Sequence, residues 1–507
     1  MRNLAISMRN ITKTFGTKVV ANKDVNLDIY YGEILSLLGE NGSGKTTLMN
    51  MLSGVYYPDS GEIIKDGSPV RIASPKDAYD LGIGMVHQHF KLIDVFTAME
   101  NILLGLPSEK DEKSSREEVQ AILDRYGFEL NLDKKVYDML VSEKETLEIV
   151  KTLYRGADIL ILDEPTAVLT PQETEKLFNV IRNMRNDGKA VIIITHKLNE
   201  VLEISDYVSV LRKGENVGVI KTSECDEQKL TEMMVGEKVV LNIQRDNIEN
   251  RELRLEVKNL TVKNIENKKV VDDVSFNLYS GEILGIAGIS GCGQKELLEA
   301  IMGLQDCEEG SSVIYYSTAH GVHELVGLST KEIIAHGLHL SFVPEDRLGM
   351  GLVGNMGMTD NVMLKRYRKG SGLFLHRKQP KETAEKIKDE LDVKTPDLLY
   401  PVRRLSGGNV QKILVGREIN AKPTVLMTAY AVRGLDINTS YTIYNLLNEQ
   451  KKKGVAVIYV GEDLDVLLAL CDRIMVMCSG RLNGMLDGRT CTKEEVGYLM
   501  TNLKEEA

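Results

Sequence analysis

The stretch Gly39-Glu40-Asn41-Gly42-Ser43-Gly44-Lys45-Thr46-Thr47 decides the fold of the chain around it. It fits the pattern G-x-x-x-x-G-K-[ST], in which glycines let backbone N–H groups wrap around a phosphate. The apolar run Ile34–Leu38 before it has the length of a buried strand, and apolar residues follow at helical spacing. Lys45 is placed to reach the outer phosphates, and the Thr46 hydroxyl to bind Mg²⁺. The order of strand, glycine loop and helix predicts a phosphate-binding site.

The composition limits the class of protein. A chain of 507 residues is too long for one core, so two or more domains are expected. No apolar run approaches the ~20 residues that cross a bilayer, and the N-terminus opens no signal peptide, so we expect the chain to stay in the cytoplasm. A net charge of −11 argues against general nucleic-acid binding. Six cysteines without a C-x-x-C pair predict reduced, mostly buried thiols.

An internal repeat sets the number of domains. Gly32-Glu33-Ile34-Leu35 recurs as Gly281-Glu282-Ile283-Leu284, at an offset of 249 residues, and a glycine loop from Gly288 to Lys295 follows the second copy. We therefore predict two modules, residues 1–236 and 253–507, joined by a charged and polar linker at 237–252. Each module alternates short apolar runs with helical patterns, which predicts an α/β fold with a largely parallel, buried sheet.

Two further strand-like runs of the first module end in chemically useful side chains. Ile159–Leu162 precedes Asp163, which suits the shell of Mg²⁺, and Glu164, which can polarise the attacking water as a general base. A strand that merely ends in a solvated acidic turn is the alternative. The run at 190–195 precedes His196, which can contact the γ-phosphate and the attacking water, although a lone histidine is more often structural.

Two weaker candidates lie elsewhere in the first module. Gln88 follows the run Gly82–Val86 and could sense Mg²⁺ and the γ-phosphate, although most glutamines are simply solvated. Phe15, placed ahead of the first predicted strand pair, could stack on a nucleotide base. A core or hairpin aromatic fits its spacing equally well.

At this point the sequence resembles the ATP-binding cassette (ABC) family. Gly39–Thr47 is similar to its Walker A loop, Gln88 to its Q-loop, Ile159–Glu164 to its Walker B strand and His196 to its switch histidine. Leu405-Ser406-Gly407-Gly408-Asn409 resembles its signature motif. The resemblance covers nearly the whole chain, and these motifs are highly specific.

The resemblance implies a fold, cofactors and further site residues. Each of two tandem P-loop NTPase domains would carry a mostly parallel sheet, an antiparallel β subdomain and a helical subdomain, the last at about Thr97–Leu153 in the first module. ATP and Mg²⁺ would be the cofactors. Ser406, Gly407, Gly408 and Asn409 would bind phosphate at a helix start. Asp436, in the D-loop position of the second module, would help to order the site.

The second module departs from the family pattern at the positions that bind and cleave ATP. It lacks the P-loop cation, the metal ligand and the base, and it has carboxylates in place of the Q-loop glutamine and the switch histidine. Lys295 comes one residue late for the P-loop lysine, so on a helix it would point about 100° away. Gln294 stands in place of Lys45, Ala429 in place of Asp163, and Tyr430 in place of Glu164. Glu345 stands in place of Gln88, and Glu462 in place of His196.

The first module departs at the signature instead. Its corresponding segment reads Met139-Leu140-Val141-Ser142-Glu143, with Leu140 at the serine position and Ser142 at a glycine position. In this family ATP is sandwiched between the Walker A loop of one module and the signature of the other. The two sets of losses therefore predict one complete composite site and one inert site.

The duplicated single-chain form resembles the ATPase subunit of bacterial importers for simple sugars and nucleosides. The phrases Val343-Pro344-Glu345-Asp346-Arg347 and Arg433-Gly434-Leu435-Asp436 are similar to that group, and Gly84–Phe90 leans toward its nucleoside branch. The resemblance implies a peripheral protein at the cytoplasmic face of the membrane. Its partners would be two integral-membrane permease subunits and, indirectly, an extracellular solute-binding protein, with no nucleic acid.

Two other functions fit parts of the sequence. A soluble tandem ABC ATPase acting on the ribosome or on DNA usually keeps both sites and a long charged helical linker, whereas here the linker is short and one site is degenerate. A regulatory module that binds nucleotide without turnover is disfavoured because Asp163, Glu164 and His196 are all present.

Overall fold

The computed structural model describes residues 2–16, 19–88, 90–106, 112–167, 169–236, 243, 245–246, 251–289, 291–317, 321–336, 338–365 and 376–503. Its internal contacts divide the chain into two units, Met1–Val240 and Leu241–Ala507. The predicted modules 1–236 and 253–507 stay a prediction, and most of the predicted linker at 237–252 lies outside the described residues. So do His89, in the quoted stretch Gly84–Phe90, and Ser290, in the glycine loop from Gly288 to Lys295.

The first unit alternates strands and helices along the chain. Its strands are β1 Asn3–Phe15, β2 Val19–Tyr31, β3 Ile34–Leu38, β4 Ser60–Lys65, β5 Ser68–Val70, β6 Ile83–Val86, β7 Ile159–Asp163, β8 Ala190–Thr195, β9 Tyr207–Arg212 and β10 Glu215–Lys221. Its helices are α1 Lys45–Leu52, α2 Pro75–Asp80, α3 Ala98–Leu103, α4 Glu112–Tyr126, α5 Val141–Tyr154, α6 Pro171–Asn186, α7 Leu198–Ile204 and α8 Glu227–Val235.

These strands form two sheets. The first is antiparallel, with the order β2-β1-β4-β5, and the second has the order β10-β9-β3-β8-β7-β6. In the second sheet β6, β7, β8, β3 and β9 run parallel, and only β10 is antiparallel. Every residue of β3, β7 and β8 is buried, as expected for a parallel sheet covered on both faces. The carboxyl ends of these three strands therefore meet at one edge of the sheet.

Helices α3, α4 and α5 form a separate helical layer with its own apolar core. Met99 and Ile102 on α3, Val119 and Leu123 on α4, and Leu147 on α5 are buried together there. Thr97 caps α3 through a reciprocal hydrogen-bond pair with Glu100. This layer matches the helical region expected at about 97–153.

The second unit repeats the order of the first. Its strands are β11 Leu253–Lys263, β12 Lys269–Tyr279, β13 Ile283–Ala287, β14 Ser312–Ser317, β15 Gly321–Glu324, β16 Leu340–Val343, β17 Val425–Ala429, β18 Ala456–Val460, β19 Arg473–Cys478 and β20 Arg481–Asp487. Its helices are α9 Gln294–Ile301, α10 Thr330–Ala335, α11 Met358–Met363, α12 Lys378–Glu390, α13 Gly407–Asn420, α14 Ile437–Lys452, α15 Leu464–Leu470 and α16 Lys493–Thr501, with a π-helix at Arg347–Gly351.

The sheets of the second unit also repeat those of the first. An antiparallel sheet has the order β12-β11-β14-β15, and a mostly parallel sheet has the order β16-β17-β18-β13-β19-β20. The α/β class predicted from the sequence is confirmed. Across all of the described residues, no helix combines the length and the apolar character that spanning a bilayer requires.

An aspartate supports the central strand in both units, and in the second unit it is buried. Asp206 accepts the Ile34 N–H at 2.8 Å, and Asp472 accepts the Ile283 N–H at 2.9 Å. In the second unit the Asp472 carboxylate also pairs with Lys451 at 2.8 Å, and both of these side chains are almost fully buried. The internal repeat thus extends to the hydrogen bonds that fix the strand before each glycine loop.

Arg245 attaches the start of the second unit to its sheet. Its guanidinium donates to the carbonyl oxygens of Leu468 at 3.1 Å, of Gly488 at 3.0 Å and of Cys471. Leu468 lies in the last turn of α15, where carbonyl groups lack partners inside the helix. A positive charge there also interacts favourably with the helix dipole.

The six cysteines are free thiols, as predicted, but they are less buried than expected. Only Cys471 and Cys478 are buried, and the other four are partly exposed. Burial raises the pKa of Cys292, Cys307 and Cys491, so these thiols stay protonated and weakly nucleophilic at neutral pH.

We predict that Asp472→Ala strongly destabilises the second unit. The change leaves Lys451, which is 1% exposed, without its carboxylate, and it also removes the acceptor for the Ile283 N–H. Breaking a buried pair in this way costs about 3–5 kcal/mol. Asp465→Ala breaks the exposed pair with Lys493 and serves as the control, with an expected loss below about 1 kcal/mol. Equal unfolding midpoints for the two variants in urea would contradict the prediction.

Candidate functional site

The glycine loop of the first unit joins β3 to α1 and surrounds a buried ammonium group. Gly42 and Gly44 have φ angles of 81° and 99°, in the region that favours glycine. The Lys45 ammonium donates to the carbonyl oxygens of Gly39 at 2.6 Å and Glu40 at 3.0 Å, and the side chain is almost fully buried. The first turn of α1 and the positive charge of Lys45 therefore lie at the same place.

Neighbouring strands hold this loop closely. A Cβ on Gly39 would collide with the carbonyl oxygen of Leu211, and one on Gly44 would collide with that of Ala21. The buried Asn22 side chain donates to the Gly44 carbonyl at 3.2 Å. Glycine at 39 and 44 is therefore a packing requirement as well as a conformational one.

Two carboxylates stand at the end of β7, beside the loop. The Thr46 hydroxyl donates to Asp163 Oδ1 at 3.4 Å. Burial and the neighbouring charge of Glu164 raise the pKa of Asp163 to about 6. Burial also lowers the pKa of Lys45, and the charges of Glu164, Asp163 and Glu40 oppose that shift. The cation and the two acids thus depend electrostatically on each other.

Glu164 has the most unusual surroundings of these groups. Its φ angle of 52° is left-handed, and its N–H donates to the Ile194 carbonyl of β8 at 2.9 Å. Its Oε1 lies 2.8 Å from His196 Nδ1, and this hydrogen bond raises the pKa of His196. Its Oε2 is buried without a hydrogen-bond partner among the described residues. A buried oxygen in that condition is placed to accept from a molecule that enters the site.

The other two predicted site residues of the first unit lie further out. Gln88 is exposed in the turn that follows β6. The placement of Phe15 ahead of the first strand pair is wrong, because it is the last residue of β1 and pairs with Val19 across the β1–β2 hairpin. Its ring packs edge-on against Tyr56 at a centroid distance of 5.2 Å, and the side chain is 38% exposed.

The donor set of the first unit suits a magnesium ion that is bound together with phosphate. Among the described residues, no group of three or more His, Cys, Asp or Glu side chains could hold a metal by itself. Thr46 and Asp163 supply two oxygen ligands, and Mg²⁺ usually takes few protein ligands and completes its octahedral shell with phosphate oxygens and water. The residues present therefore fit that ion.

The second unit keeps the backbone of the loop and loses its charge. Gln294 occupies the position of Lys45 and donates from Nε2 to the Ile289 carbonyl at 3.2 Å. It is 2% exposed. Lys295 points elsewhere, and its ammonium lies 3.8 Å from Glu299 one turn along α9. A neutral amide therefore fills the place of the ammonium.

The end of β17 repeats the backbone of the first unit with different chemistry. Ala429 is the last residue of β17, as Asp163 is of β7, and Tyr430 has a φ angle of 51°. The Tyr430 N–H donates to the Val460 carbonyl at 2.9 Å, matching the hydrogen bond of Glu164. Burial and nearby carboxylates raise the pKa of Tyr430 to about 12, so the phenol stays neutral.

An arginine that the sequence analysis did not single out joins the two acidic replacements. The Arg433 guanidinium pairs with Glu345 and, at 3.1 Å, with Glu462. These carboxylates follow β16 and β18, the counterparts of the strands before Gln88 and His196. Only the shared excess of negative charge at the two positions could have indicated a cation between them.

The signature-like segment forms the start of α13. The Ser406 hydroxyl accepts from the Asn409 side chain at 2.8 Å and caps the helix. A Cβ on Gly408 would lie 3.3 Å from a carboxylate oxygen of Asp436. Asp436 caps α14 by accepting the Thr439 N–H at 2.8 Å. The second unit thus brings Ser406–Asn409 and Asp436 together.

The corresponding helix of the first unit, α5, begins without such a cap. Leu140 precedes it, is 66% exposed and offers no hydrogen-bonding side chain. The Glu143 carboxylate instead accepts the Leu140 N–H at 2.7 Å and pairs with Lys134. An acidic side chain at this helix start disfavours a phosphate.

Comparisons with known proteins agree with these motifs. The profile of the ABC transporter family matches residues 22–167 and 271–428, one segment in each unit. The chain belongs to the ABC transporter family.

Several curated relatives of this ABC protein align over nearly their whole length. The guanosine import ATP-binding protein NupO of Bacillus subtilis is 41% identical over 98% of this chain and 97% of its own. The nucleoside import ATP-binding protein NupA of Lactococcus lactis is 39% identical over the same shares. The ribose import ATP-binding protein RbsA of Clostridium tetani is 36% identical over 97% of this chain and 96% of its own.

Solved cassettes are also similar to this ABC protein. A structure of CbiO1 from Clostridium perfringens, part of the CbiONQ ABC transporter complex, covers 46% of this chain and 95% of its own, with 28% identity and a TM-score of 0.41. The family membership makes the chain an ATPase that binds ATP.

We predict that Glu164→Gln lowers the pKa of His196 in this ABC ATPase. The carboxylate stabilises the imidazolium through the hydrogen bond to Nδ1, so a neutral amide should favour the uncharged ring. Histidines labelled at Cε1 would be titrated by NMR in the full-length chain, with His196→Gln assigning the signal. Gln88→Glu is the control for a charge change elsewhere at the sheet edge. An unchanged His196 pKa in Glu164→Gln would show that the contact is absent in solution.

Proposed function

We propose that this chain is the ATP-binding and hydrolysing subunit of an importer for nucleosides or simple sugars. Its relatives named for guanosine, nucleoside and ribose import support this, because they align over nearly the whole chain. The most similar two of the three carry nucleoside names, which favours a nucleoside. We assign selectivity for the solute to other subunits of the importer.

The observation that carries the proposal of hydrolysis is the buried, unpartnered Oε2 of Glu164. An attacking water could donate to it, while Oε1 stays bonded to His196. Glu164 would take the proton of that water as general base. His196 would orient the carboxylate and contact the γ-phosphate. Closure of the site around ATP would exclude bulk water and so strengthen each of these interactions.

The glycine loop would bind the triphosphate. The N–H groups of Gly39–Thr47 and the Lys45 ammonium would neutralise its charge, and the ammonium would exchange its two carbonyl partners for phosphate oxygens. Thr46 and Asp163, with Gln88 from the neighbouring strand end, would hold Mg²⁺. The ion would supply charge neutralisation at the transferred phosphoryl group. Phe15 at the hairpin would stack on the base.

We further propose that the signature of the second unit completes the ATP-binding site of the first unit. The first unit has the cation, the metal ligand and the base, but its α5 begins with Leu140. The second unit lacks those groups but has the serine-capped helix start of α13, with Asp436 beside it. Independent decay of two sites would not be expected to leave one complementary set intact.

The other pair of segments would form an inert site. Gln294 and Tyr430 supply neither a cation nor a base, and the Arg433 ion pairs fill the strand ends where a nucleotide would be sensed. Binding and hydrolysis at the complete site would close and reopen the two units. We propose that this motion drives two integral-membrane permease subunits, with the chain peripheral at the cytoplasmic face and a solute-binding protein outside.

We predict that Lys45→Ala abolishes most transport, whereas Gln294→Ala at the equivalent place of the second unit does not. Charged hydrogen bonds contribute about 1.5–3 kcal/mol, so ATP affinity should fall on the order of tenfold to hundredfold in Lys45→Ala. Cells carrying the chain with its permease and binding protein would be assayed for uptake of labelled guanosine and labelled ribose. Uptake of neither solute by the unaltered system would refute the importer, and normal uptake with Lys45→Ala would refute the site.

We predict that Ser406→Arg lowers ATP turnover about a hundredfold or more, although Ser406 lies in the other unit from Lys45. The side chain would remove the serine cap and obstruct the helix start that receives the phosphate. Leu140→Arg introduces the same side chain at the corresponding exposed position of the first unit and should leave turnover within about threefold. Equal turnover in the two variants, measured as phosphate release, would rule out the composite site.

A further inference from the structure

The last residue of the phrase Val343-Pro344-Glu345-Asp346-Arg347 is an arginine that lies beside the signature of the second unit. Arg347 begins the π-helix that follows β16, and its Nη1 lies 3.1 Å from where a Cβ on Gly407 would sit. Its Nη2 donates to the carbonyl oxygen of Arg433. The guanidinium therefore lies against the first turn of α13, and glycine at position 407 permits this close approach.

Arg347 has no acidic partner among the residues that the structure describes. The nearest carboxylate in sequence, Asp346, accepts the N–H groups of Leu348 at 3.2 Å and Gly349 at 2.8 Å. Glu345 pairs with Arg433, and Asp436 accepts from Thr439. Burial lowers the pKa of Arg347, and no neighbouring carboxylate opposes that shift. A partly desolvated guanidinium in this condition would be stabilised by an anion.

The first unit lacks this cation at the equivalent place. β6 ends at Val86 and β16 ends at Val343, so the residue four positions later is Phe90 in the first unit and Arg347 in the second. Phe90 belongs to the unit whose signature position holds Leu140. Of these two equivalent positions, the arginine occupies the one in the unit with the serine-capped helix start, which we propose to bind phosphate. An arginine kept for packing alone would not be expected to follow that distinction.

We propose that Arg347 is an ATP-contacting residue that binds the γ-phosphate together with the signature loop. This rests on the proposed composite site. A guanidinium can donate two parallel hydrogen bonds to a phosphate, and Nη2 would keep its bond to the Arg433 carbonyl while Nη1 contacts the nucleotide. Its charge would add to that of Lys45 as negative charge spreads over the oxygens of the transferred group. An arginine supplied from outside the P-loop domain has this effect in other nucleoside triphosphatases.

The test compares Arg347→Gln, Arg347→Lys and the control Arg377→Gln in the full-length chain. Glutamine removes the charge and keeps an N–H donor on the side chain, and lysine keeps the charge without the planar guanidinium. Arg377 is 57% exposed and pairs with Asp360, so its replacement makes the same charge change on the same unit away from the signature. The readouts are kcat and KM for Mg²⁺–ATP, the affinity for ADP, and the unfolding temperature without nucleotide.

We expect Arg347→Gln to lower kcat/KM for ATP ten- to hundredfold, as for loss of a charged hydrogen bond. Arg347→Lys should recover part of that loss, and Arg377→Gln should stay within about twofold of the unaltered chain. The ADP affinity of Arg347→Gln should also stay within about twofold, because ADP lacks the γ-phosphate.

Two results would overturn the proposal. Equal kcat/KM for Arg347→Gln and Arg377→Gln would show that the charge does not act on ATP. An equal loss for ATP and ADP, with a lower unfolding temperature and no recovery in Arg347→Lys, would show a structural role. The Ser406→Arg variant distinguishes failure of the Arg347 proposal from failure of the composite site. If Ser406→Arg is inactive while Arg347→Gln has normal ATPase activity, only the assignment of Arg347 fails.

Discussion

The chemistry of the first unit depends on one buried positive charge. The Lys45 ammonium is nearly out of water and is held by two backbone carbonyl oxygens, at 2.6 and 3.0 Å. The side chains of Asp163 and Glu164 are also at most 10% exposed, so each of these three groups would be costly without the others. A single loss would leave an uncompensated charge in the loop. This explains why the second unit lacks all three together, with Gln294, Ala429 and Tyr430 in their places.

The scaffold is independent of that chemistry. Glu164 and Tyr430 share a left-handed conformation, and each donates its N–H to a carbonyl of the neighbouring strand at 2.9 Å. Asp206 and Asp472 support the central strands through equivalent hydrogen bonds. Backbone geometry and buried apolar strands therefore hold the site positions, and the side chains at the strand ends determine whether each unit can do chemistry.

Local patterns were sufficient for the fold and for much of the candidate site. The glycine loop and the apolar runs before Asp163 and His196 predicted buried strands of a largely parallel sheet, because each of those signals lies within a short stretch of sequence. Phe15 was misplaced because its spacing did not reveal that β1 extends through it. The ion pairs of Arg433 were missed because its partner Glu345 lies 88 residues away in the sequence. Pairing across strand ends depends on tertiary structure, which single-sequence patterns do not contain.

The attachment of Arg245 to the end of α15 shortens the connection between the units along the chain. Only eight residues separate Gly236, which follows α8, from Arg245. A chain of that length spans at most about 30 Å. Short tethers of this kind give effective concentrations in the millimolar range. Closure of the composite site that we propose would thus be a unimolecular step, whose equilibrium would not depend on how much protein the cell makes.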